Sequence, residues 1–408
     1  MAQKMTIDEQ VATLMQGTEY GDEGLKTAMA KELKERLLEA EKEGRPLRVY
    51  GGFDPRTTDL HLGHSIPMSK LRQFQDMGHD VSFVVGTYTS LIGDPSDKDE
   101  LRPQLTPEEV EENARSYAEQ AFRVLDKDKT TVRYNAEWLS ELTFADLIEL
   151  ASHFTLQQFL TRENFRKRWD DGDPVFLHET FYAIMQAYDA YTLKADVQVG
   201  GSDQLFNIVT AGRKLMTALG EKPNIGMTLG ILPGTDGVIR MSKSLGNHIP
   251  LNTDAKDMFG KIMSVPDIAM PDFMRLLSRW PASKVEGMIA DMDSGKLHPR
   301  DAKMEIAERI TGLFYSEAAA EVAKAAFVDQ FQKGNAPDEM PERQLGQGDL
   351  LVDVLVEAGL VSSKSEARRM VKQKAVRLDG ETLEDANMEL DQTGVLQVGK
   401  RRFLRLTD

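Results

Sequence analysis

The chain has 408 residues, 28% charged and 41% hydrophobic, a globular composition with room for two or three domains of roughly 150 residues each. Fifty Lys and Arg against 66 Asp and Glu leave a net charge of −16, so the molecule as a whole repels phosphate backbones and anionic membranes, which taken alone argues against nucleic acid. Cysteine is absent; disulfides, thiolate metal sites, iron–sulfur clusters and cysteine nucleophiles are excluded, and any chemistry falls to His, carboxylates, Lys and Arg, hydroxyls and backbone amides.

The first nine residues, Met1 to Glu9, hold no apolar stretch to serve as a signal, and no window approaches 18 apolar residues in a row. Export and membrane spanning are not expected, and the lack of cysteine fits a cytoplasmic protein. Residues 22–44 place Leu25, Met29, Leu33 and Leu37 at helical spacing among charges and predict an exposed amphipathic helix. From Leu47 short β-rich runs alternate with helical stretches: Leu47–Phe53, a helix over 63–77, Val81–Val85, a helix over 107–125, and Thr131–Tyr134. That alternation implies βαβ units and a parallel sheet. After helical material at 143–169 come a helix at 176–193, a strand at Asp196–Val199, a helix at 203–219 and a strand near 226–232, which complete the sheet.

From 254 to 332 the pattern is helical, with Pro266, Pro271, Pro281 and Pro299 marking boundaries. Residues 333–347 are polar and carry two prolines, as a linker does. Beyond them, 348–408 predicts a small α+β module with an apolar helix at 350–358, a basic helix at 363–373 and strands around 375–378, 394–398 and 402–406. The expected division is an N-terminal helical segment 1–45, a sheet domain 46–250, a helical domain 251–332, a linker 333–347 and the module 348–408.

The sharpest local signal is His61-Leu62-Gly63-His64, at the passage from the first strand into a helix. Two imidazoles three residues apart at a helix N-terminus share a face, and the free amides and helix dipole there favour an anion. Gly63 keeps the backbone open to a ligand. An isolated pair of this kind equally suits capping histidines; the strand–turn–helix setting points to phosphate. The second signal is Arg240-Met241-Ser242-Lys243-Ser244-Leu245-Gly246-Asn247, after the last sheet strand. Cations alternating with hydroxyls suit a mobile clamp on a polyphosphate, although a solvated basic loop has the same composition.

Together these segments resemble the HIGH and KMSKS signatures of class I aminoacyl-tRNA synthetases. Three further segments narrow the likeness: Tyr50-Gly51-Gly52-Phe53-Asp54-Pro55; Tyr182, Gln186 and Asp189, spaced four and three apart on one helical face; and Gly200-Gly201-Ser202-Asp203-Gln204 after a strand. With Thr89 to Ser96 (TSLIGDPS), the set resembles bacterial tyrosyl-tRNA synthetases over nearly the whole chain. The resemblance implies an α/β, Rossmann-like parallel-sheet catalytic domain, an all-helical tRNA-contacting domain and a small α+β RNA-binding domain. It implies that Tyr50 and Asp189 bind the phenol hydroxyl of tyrosine, and that Asp94, Tyr182 and Gln186 hold its ammonium, with Gln204 near its carboxylate. Asp54, Gly63, His64, Gly201, Asp203, Met241, Ser242, Lys243 and Ser244 would bind ATP, while His61, His64, Arg240 and Lys243 would stabilise the transferring charge. Read without the resemblance, 182/186/189 is a polar helix stripe, Asp203 a helix cap and Asp54-Pro55 a turn. A buried carboxylate deprived of its partner hydroxyl is left unsatisfied, which penalises phenylalanine.

Two positions depart from the family pattern. Arg56 stands where the family often has a threonine that helps bind the γ-phosphate, and Arg240 opens the clamp where lysine is usual, keeping the charge but changing donor geometry. In the C-terminal module, 364–377 holds six basic residues and one acidic. Lys364, Arg368 and Lys372, at i+4 spacing, and Arg369 present cations that the resemblance assigns to RNA, against the alternative of a solvated basic helix. The implied partners are tyrosine, ATP with Mg²⁺, and tRNA(Tyr), in a homodimer, with no membrane and no protein-bound metal; apolar residues of 107–125 and 143–160 are candidates for the dimer surface. The alternatives are a tryptophanyl-type enzyme, a catalytically inactive synthetase-derived RNA-binding protein, and a small-molecule adenylyltransferase sharing the HxGH element.

Overall fold

The computed structural model describes residues 5–55, 60–96, 106–331, 340–346, 348–399 and 402–407. It divides into two compact units, Met1–Glu317 and Ala318–Asp408. Arg56, and most of the linker expected at 333–347, lie outside the described residues.

The first unit opens with α1 (Ile7–Met15), started by a Thr6/Glu9 capping box, and α2 (Glu23–Glu43), capped by Asp22 and stopped at Gly44 in the left-handed conformation. The helix expected to be exposed over 22–44 buries one face: Met29, Leu33, Leu37 and Ala40 are in the core together with Arg36. Arg36 escapes an unpaired burial by donating from Nη1 to Asp196 at 3.0 Å.

Then come β1 (Arg48–Phe53), α3 (Leu62–Asp76), β2 (Asp80–Val85), α4 (Pro107–Ala121), β3 (Thr130–Tyr134), α5 (Ala136–Leu139), α6 (Phe144–Ser152), α7 (Leu156–Phe159), α8 (Glu163–Asp171), α9 (Leu177–Thr192) and β4 (Val197–Gly201). The helix expected at 203–219 is a single 3₁₀ turn, a π-helical stretch Phe206–Gly212 and only then α10 (Arg213–Ala218), a distortion common where backbone is shaped around a site. The last strand, β5 (Ile225–Leu229), stops three residues short of the expected end. The five strands pair all-parallel in the order β3-β2-β1-β4-β5, with Tyr50 of β1 between Ser82 and Gln198. Their apolar runs are nearly continuous because both faces are covered. The chain winds outward from β1 through β2 and β3, then resumes at β4 on the other side; β1 and β4 therefore flank the crevice where such sheets bind ligands, beyond their carboxyl ends. Helices α11 (Ala255–Ser264), α12 (Met270–Leu277), α13 (Ala282–Asp293) and α14 (Pro299–Phe314) follow.

In the second unit, α15 (Glu317–Phe331) precedes β6 (Glu342–Gln344), α16 (Leu351–Glu357), α17 (Lys364–Lys372), β7 (Val376–Leu378), β8 (Glu381–Thr382), β9 (Gly394–Val398) and β10 (Arg402–Thr407). The sheet order is β6-β10-β9-β7-β8. Its core is built from Leu351, Leu355, Ala367, Val371, Leu396 and Leu404. The segment expected as linker supplies β6, parallel to β10 with Leu406 opposite Arg343, so its described part is a sheet edge; three polar residues, Glu-Arg-Gln, carry no strand signal of their own. Among the described residues no helix is long and apolar enough to cross a membrane.

Candidate active site

A cavity of about 390 Å³ opens beyond the carboxyl ends of β1, β4 and β5. Phe53 and Asp54 at the end of β1, Gly200, Gly201, Asp203 and Gln204 at the end of β4, and Ile231 after β5 line it, with His61, Gly63 and His64 of the α3 N-terminus on one side and Arg240 to Ser244 on another. Asp94 and Tyr182 close it below. The histidine motif and the basic loop, some 180 residues apart in the chain, are tied side by side: Leu62 N donates to Ile249 O at 3.0 Å and Leu251 N to Leu60 O at 2.8 Å.

His61 is the N-cap of α3, and its Nδ1 accepts from Gly63 N at 3.2 Å, while His64 Nδ1 accepts from His61 N at 3.2 Å. With both Nδ1 atoms accepting, each neutral ring carries its proton on Nε2. Burial, reinforced by His64, His248 and Arg240, lowers the His61 pKa to about 2; burial lowers that of His64 to about 4. Both are neutral near pH 7. They offer Nε2–H dipoles at the positive end of the helix, whose first amides, expected free, are already taken by Ile249 O, His61 Nδ1 and His61 O, and the positive charge in the cavity comes from Arg240 and Lys243. A Cβ at position 63 would lie 3.0 Å from the His61 ring, so a larger residue there presses on the ring that caps the helix.

The clamp is a folded loop. Met241 N donates to Leu232 O at 2.8 Å, Lys243–Leu245 form one 3₁₀ turn, and Ser242 and Ser244 hydroxyls meet at 3.0 Å. Asn247 holds it from within, accepting from Ser242 N at 2.8 Å and donating to Asp236 and to Arg240 O at 3.1 Å. Asn247 closed the motif in the sequence without a role assigned to it, and Asp236 was not singled out.

Behind the cavity lies a polar pit. Tyr50, Gln186 and Asp189 are buried and do not line the open space. Asp189 accepts from Trp138 Nε1 at 2.7 Å and from Asn135 Nδ2 at 3.3 Å. Burial pushes its pKa up to about 7, against the pull of these two donors. Tyr50, beside it, is raised well above the usual phenol range by burial and by Asp189, and donates its hydroxyl proton to Gln186 O at 3.3 Å. Nearer the opening, Asp54 accepts from Thr89 Oγ1 at 2.8 Å and Tyr182 Oη at 3.0 Å, and Gln204 Nε2 donates to Asp94 Oδ2 at 3.1 Å. Tyr182 thus faces Asp54, while Asp94 is joined to Gln204. Trp138 and Asn135 went unrecognised in the sequence, and Thr89 was noted within the 89–96 segment without a role of its own, although all three follow carboxyl ends of sheet strands, where such sites form.

In the second unit Lys364, Arg368, Arg369 and Lys372 are all exposed on α17, whose other face buries Ala367 and Val371. Lys364 is paired with Asp353 at 2.5 Å. Among the described residues, the cations on the helix without an ion pair are therefore Arg368, Arg369 and Lys372, a narrower surface than the i+4 spacing suggested.

Residues 42–332 match the family model of class I tRNA synthetases (W and Y), and residues 330–403 match that of the tyrosine–tRNA ligase SYY-like C-terminal domain. A tyrosine–tRNA ligase from Thermotoga maritima is 46% identical over 376 residues, covering 92% of this chain and 94% of that one. One from Shewanella oneidensis is 44% identical over 98% of this chain and 99% of its own. The fold is that of a C-terminally truncated mitochondrial tyrosyl-tRNA synthetase from Aspergillus nidulans, with a TM-score of 0.62 at 21% identity over 81% of this chain and 95% of that structure. The chain belongs to the class I tRNA synthetases of the tryptophan and tyrosine group, within its tyrosine–tRNA ligase branch.

Proposed function

We propose that the protein activates tyrosine with ATP and transfers it to the 3′ end of tRNA(Tyr). The observation that carries the choice of amino acid is the Asp189 carboxylate: buried at the base of the pit beside Tyr50, held by two neutral donors and, among the described residues, by no cation. Such a group has capacity left for one more donor, and a phenol hydroxyl supplies it. In the first step the tyrosine carboxylate attacks the ATP α-phosphorus in line and pyrophosphate departs. No general base is needed, because the nucleophile is already ionised; positioning and charge stabilisation supply the rate.

Asp94 with Gln186 receives the ammonium, and Gln204 lies by the carboxylate. Tyr182 is joined to Asp54, so it borders the adenylate as well as the ammonium. The Nε2–H groups of His61 and His64 at the positive end of α3 face the phosphates, Arg240 and Lys243 neutralise the leaving pyrophosphate, and Gly63, Gly201, Asp203, Met241, Ser242 and Ser244 complete the nucleotide wall. Mg²⁺ enters with ATP, whose phosphates supply its oxygen ligands. In the second step the 3′-terminal ribose hydroxyl displaces AMP from the tyrosyl carbonyl.

The division into an N-terminal segment to 45, a catalytic domain 46–250, a helical tRNA-contacting domain 251–332, a linker to 347 and an RNA-binding domain from 348 belongs to the same proposal, as do a cytoplasmic location and a homodimer. For the dimer surface, the two candidate stretches separate: Val110, Ala114, Tyr117, Ala121 and Leu125 are buried, whereas Phe144, Ile148 and Leu156 are 78%, 58% and 62% exposed. An apolar surface of that kind on α6 and α7 suits a partner copy. The test is aminoacylation of tRNA with labelled tyrosine: an ester-linked, tyrosine-dependent product is expected, and its absence with active ATP turnover would refute the second step.

A further inference from the structure

The Asp94 carboxylate reaches the cavity from a short turn, Gly93 to Ser96, with Gly93 left-handed at φ 78. Backbone alone holds such a turn weakly. Ser96 N donates to Asp94 Oδ1 at 2.9 Å, orienting the carboxylate, so whatever holds Ser96 also sets Asp94. Ser96 Oγ accepts from Asn207 Nδ2 at 3.2 Å, out of the π-helical stretch, and from Arg162 Nη2 at 2.8 Å. Asn164, two residues on, donates to Pro95 O. The segment 162–164 grips the turn at both of its last residues.

Arg162 is only 6% exposed. Its guanidinium lies 4.6 Å from the Phe165 ring and 5.4 Å from the Phe206 ring, aromatic contacts that suit a flat cation. Among the described residues it makes no ion pair, and its Nη1 is buried without a hydrogen-bond partner. Leaving a buried cation so poorly matched is costly, and its positive charge is felt by Asp94, Tyr182, Glu179 and Asp203. A structural role alone would be met by an apolar side chain between the two rings.

We infer that Arg162 is a positioning residue for the ammonium subsite: through Ser96 it fixes the Asp94 carboxylate that receives the substrate ammonium. The inference rests on the reading of Asp94 given above. Its hydrogen bond bears on the ammonium end of the amino acid, away from the Tyr50 and Asp189 side chains that receive the phenol.

Two ligands separate the ends of tyrosine. Tyrosinol keeps the ammonium and lacks the carboxylate; 3-(4-hydroxyphenyl)propionate keeps phenol and carboxylate and lacks the ammonium. By calorimetry on the full chain, Arg162→Met is expected to weaken tyrosinol about tenfold, the loss of a hydrogen bond to or from a charged group, and to leave the propionate within about twofold. Arg162→Lys, which keeps the charge without the fork, is expected to recover part of the tyrosinol loss. Ser96→Ala, which cuts the link and retains the cation, is expected to shift tyrosinol in the same direction; with Arg162→Lys it decides the matter if Arg162→Met fails to fold. Equal weakening of both ligands, or of neither, would overturn the inference. Wild-type protein that binds neither ligand would instead overturn the underlying reading of the site.

Discussion

The hydrogen bond from Trp138 Nε1 to Asp189, 2.7 Å long, is the strongest named force opposing the burial that raises that carboxyl to about 7. Trp138→Phe removes it and keeps most of the ring. A hydrogen bond to a charged acceptor contributes about 1.5–3 kcal/mol, and at about 1.4 kcal/mol per pH unit its loss raises the Asp189 pKa by about 1–2 units. The sign is fixed: the bond stabilises the ionised form, so without it ionisation requires a higher pH. At pH 7.5 the ionised fraction falls from about three-quarters to roughly one-tenth, for a variant value near 8.5. If the carboxylate is the form that accepts the phenol proton, tyrosine affinity at pH 7.5 falls about eightfold, and the deficit shrinks towards pH 9. The assay is the tyrosine dissociation constant of both proteins between pH 6 and 9, with a thermal melt to confirm folding. A ratio constant across that range would refute the reasoning, because it would make Trp138 a packing residue only.

The neutral His64 has an acid-side consequence. Its pKa falls from 6.5 to about 4 on folding, so the unfolded chain binds the extra proton and stability is lost as pH drops through 6.5; about 3 kcal/mol disappears by pH 4. His64→Asn is expected to flatten the fall in melting temperature between pH 7 and 5, and an unchanged fall would contradict this. Charges placed on the exposed apolar face, Phe144→Asp with Ile148→Lys, are expected to halve the sedimenting mass; a wild-type monomer, or a variant of unchanged mass, would remove that face from consideration as the dimer surface. Replacing Arg368 and Lys372 with Ala is expected to lower the salt dependence of tRNA binding by about 1.5–2 in the slope of log K against log salt. An unaltered slope would place the RNA elsewhere.

The fold was legible wherever period and punctuation agreed. Strands such as Val81–Val85 announce themselves by β-branched apolar runs, and α3 and α9 start and stop within two residues of expectation. What escaped was what tertiary contact decides: the buried pairing of Arg36 on α2 with Asp196, the π-helical stretch after β4, and the pairing of Glu342–Gln344 with a strand some 60 residues later. The site divides the same way. His61, His64, Lys243 and Asp189 carry motif signals, whereas Trp138, Asn135 and Arg162 act by reaching a residue distant in sequence, through distances no single segment encodes. The net charge of −16 is likewise silent about RNA, since Arg368, Arg369 and Lys372 gather on one short helix of an otherwise acidic chain.

The choice of tyrosine rests on a buried acceptor at the end of a phosphate-binding cleft, and ATP–pyrophosphate exchange with the purified protein tests it most directly. Tyrosine is expected to support exchange, with phenylalanine and tryptophan failing to do so at the same concentration. Exchange absent with tyrosine, or equally strong with phenylalanine, would contradict the reading of Asp189 and the function built on it.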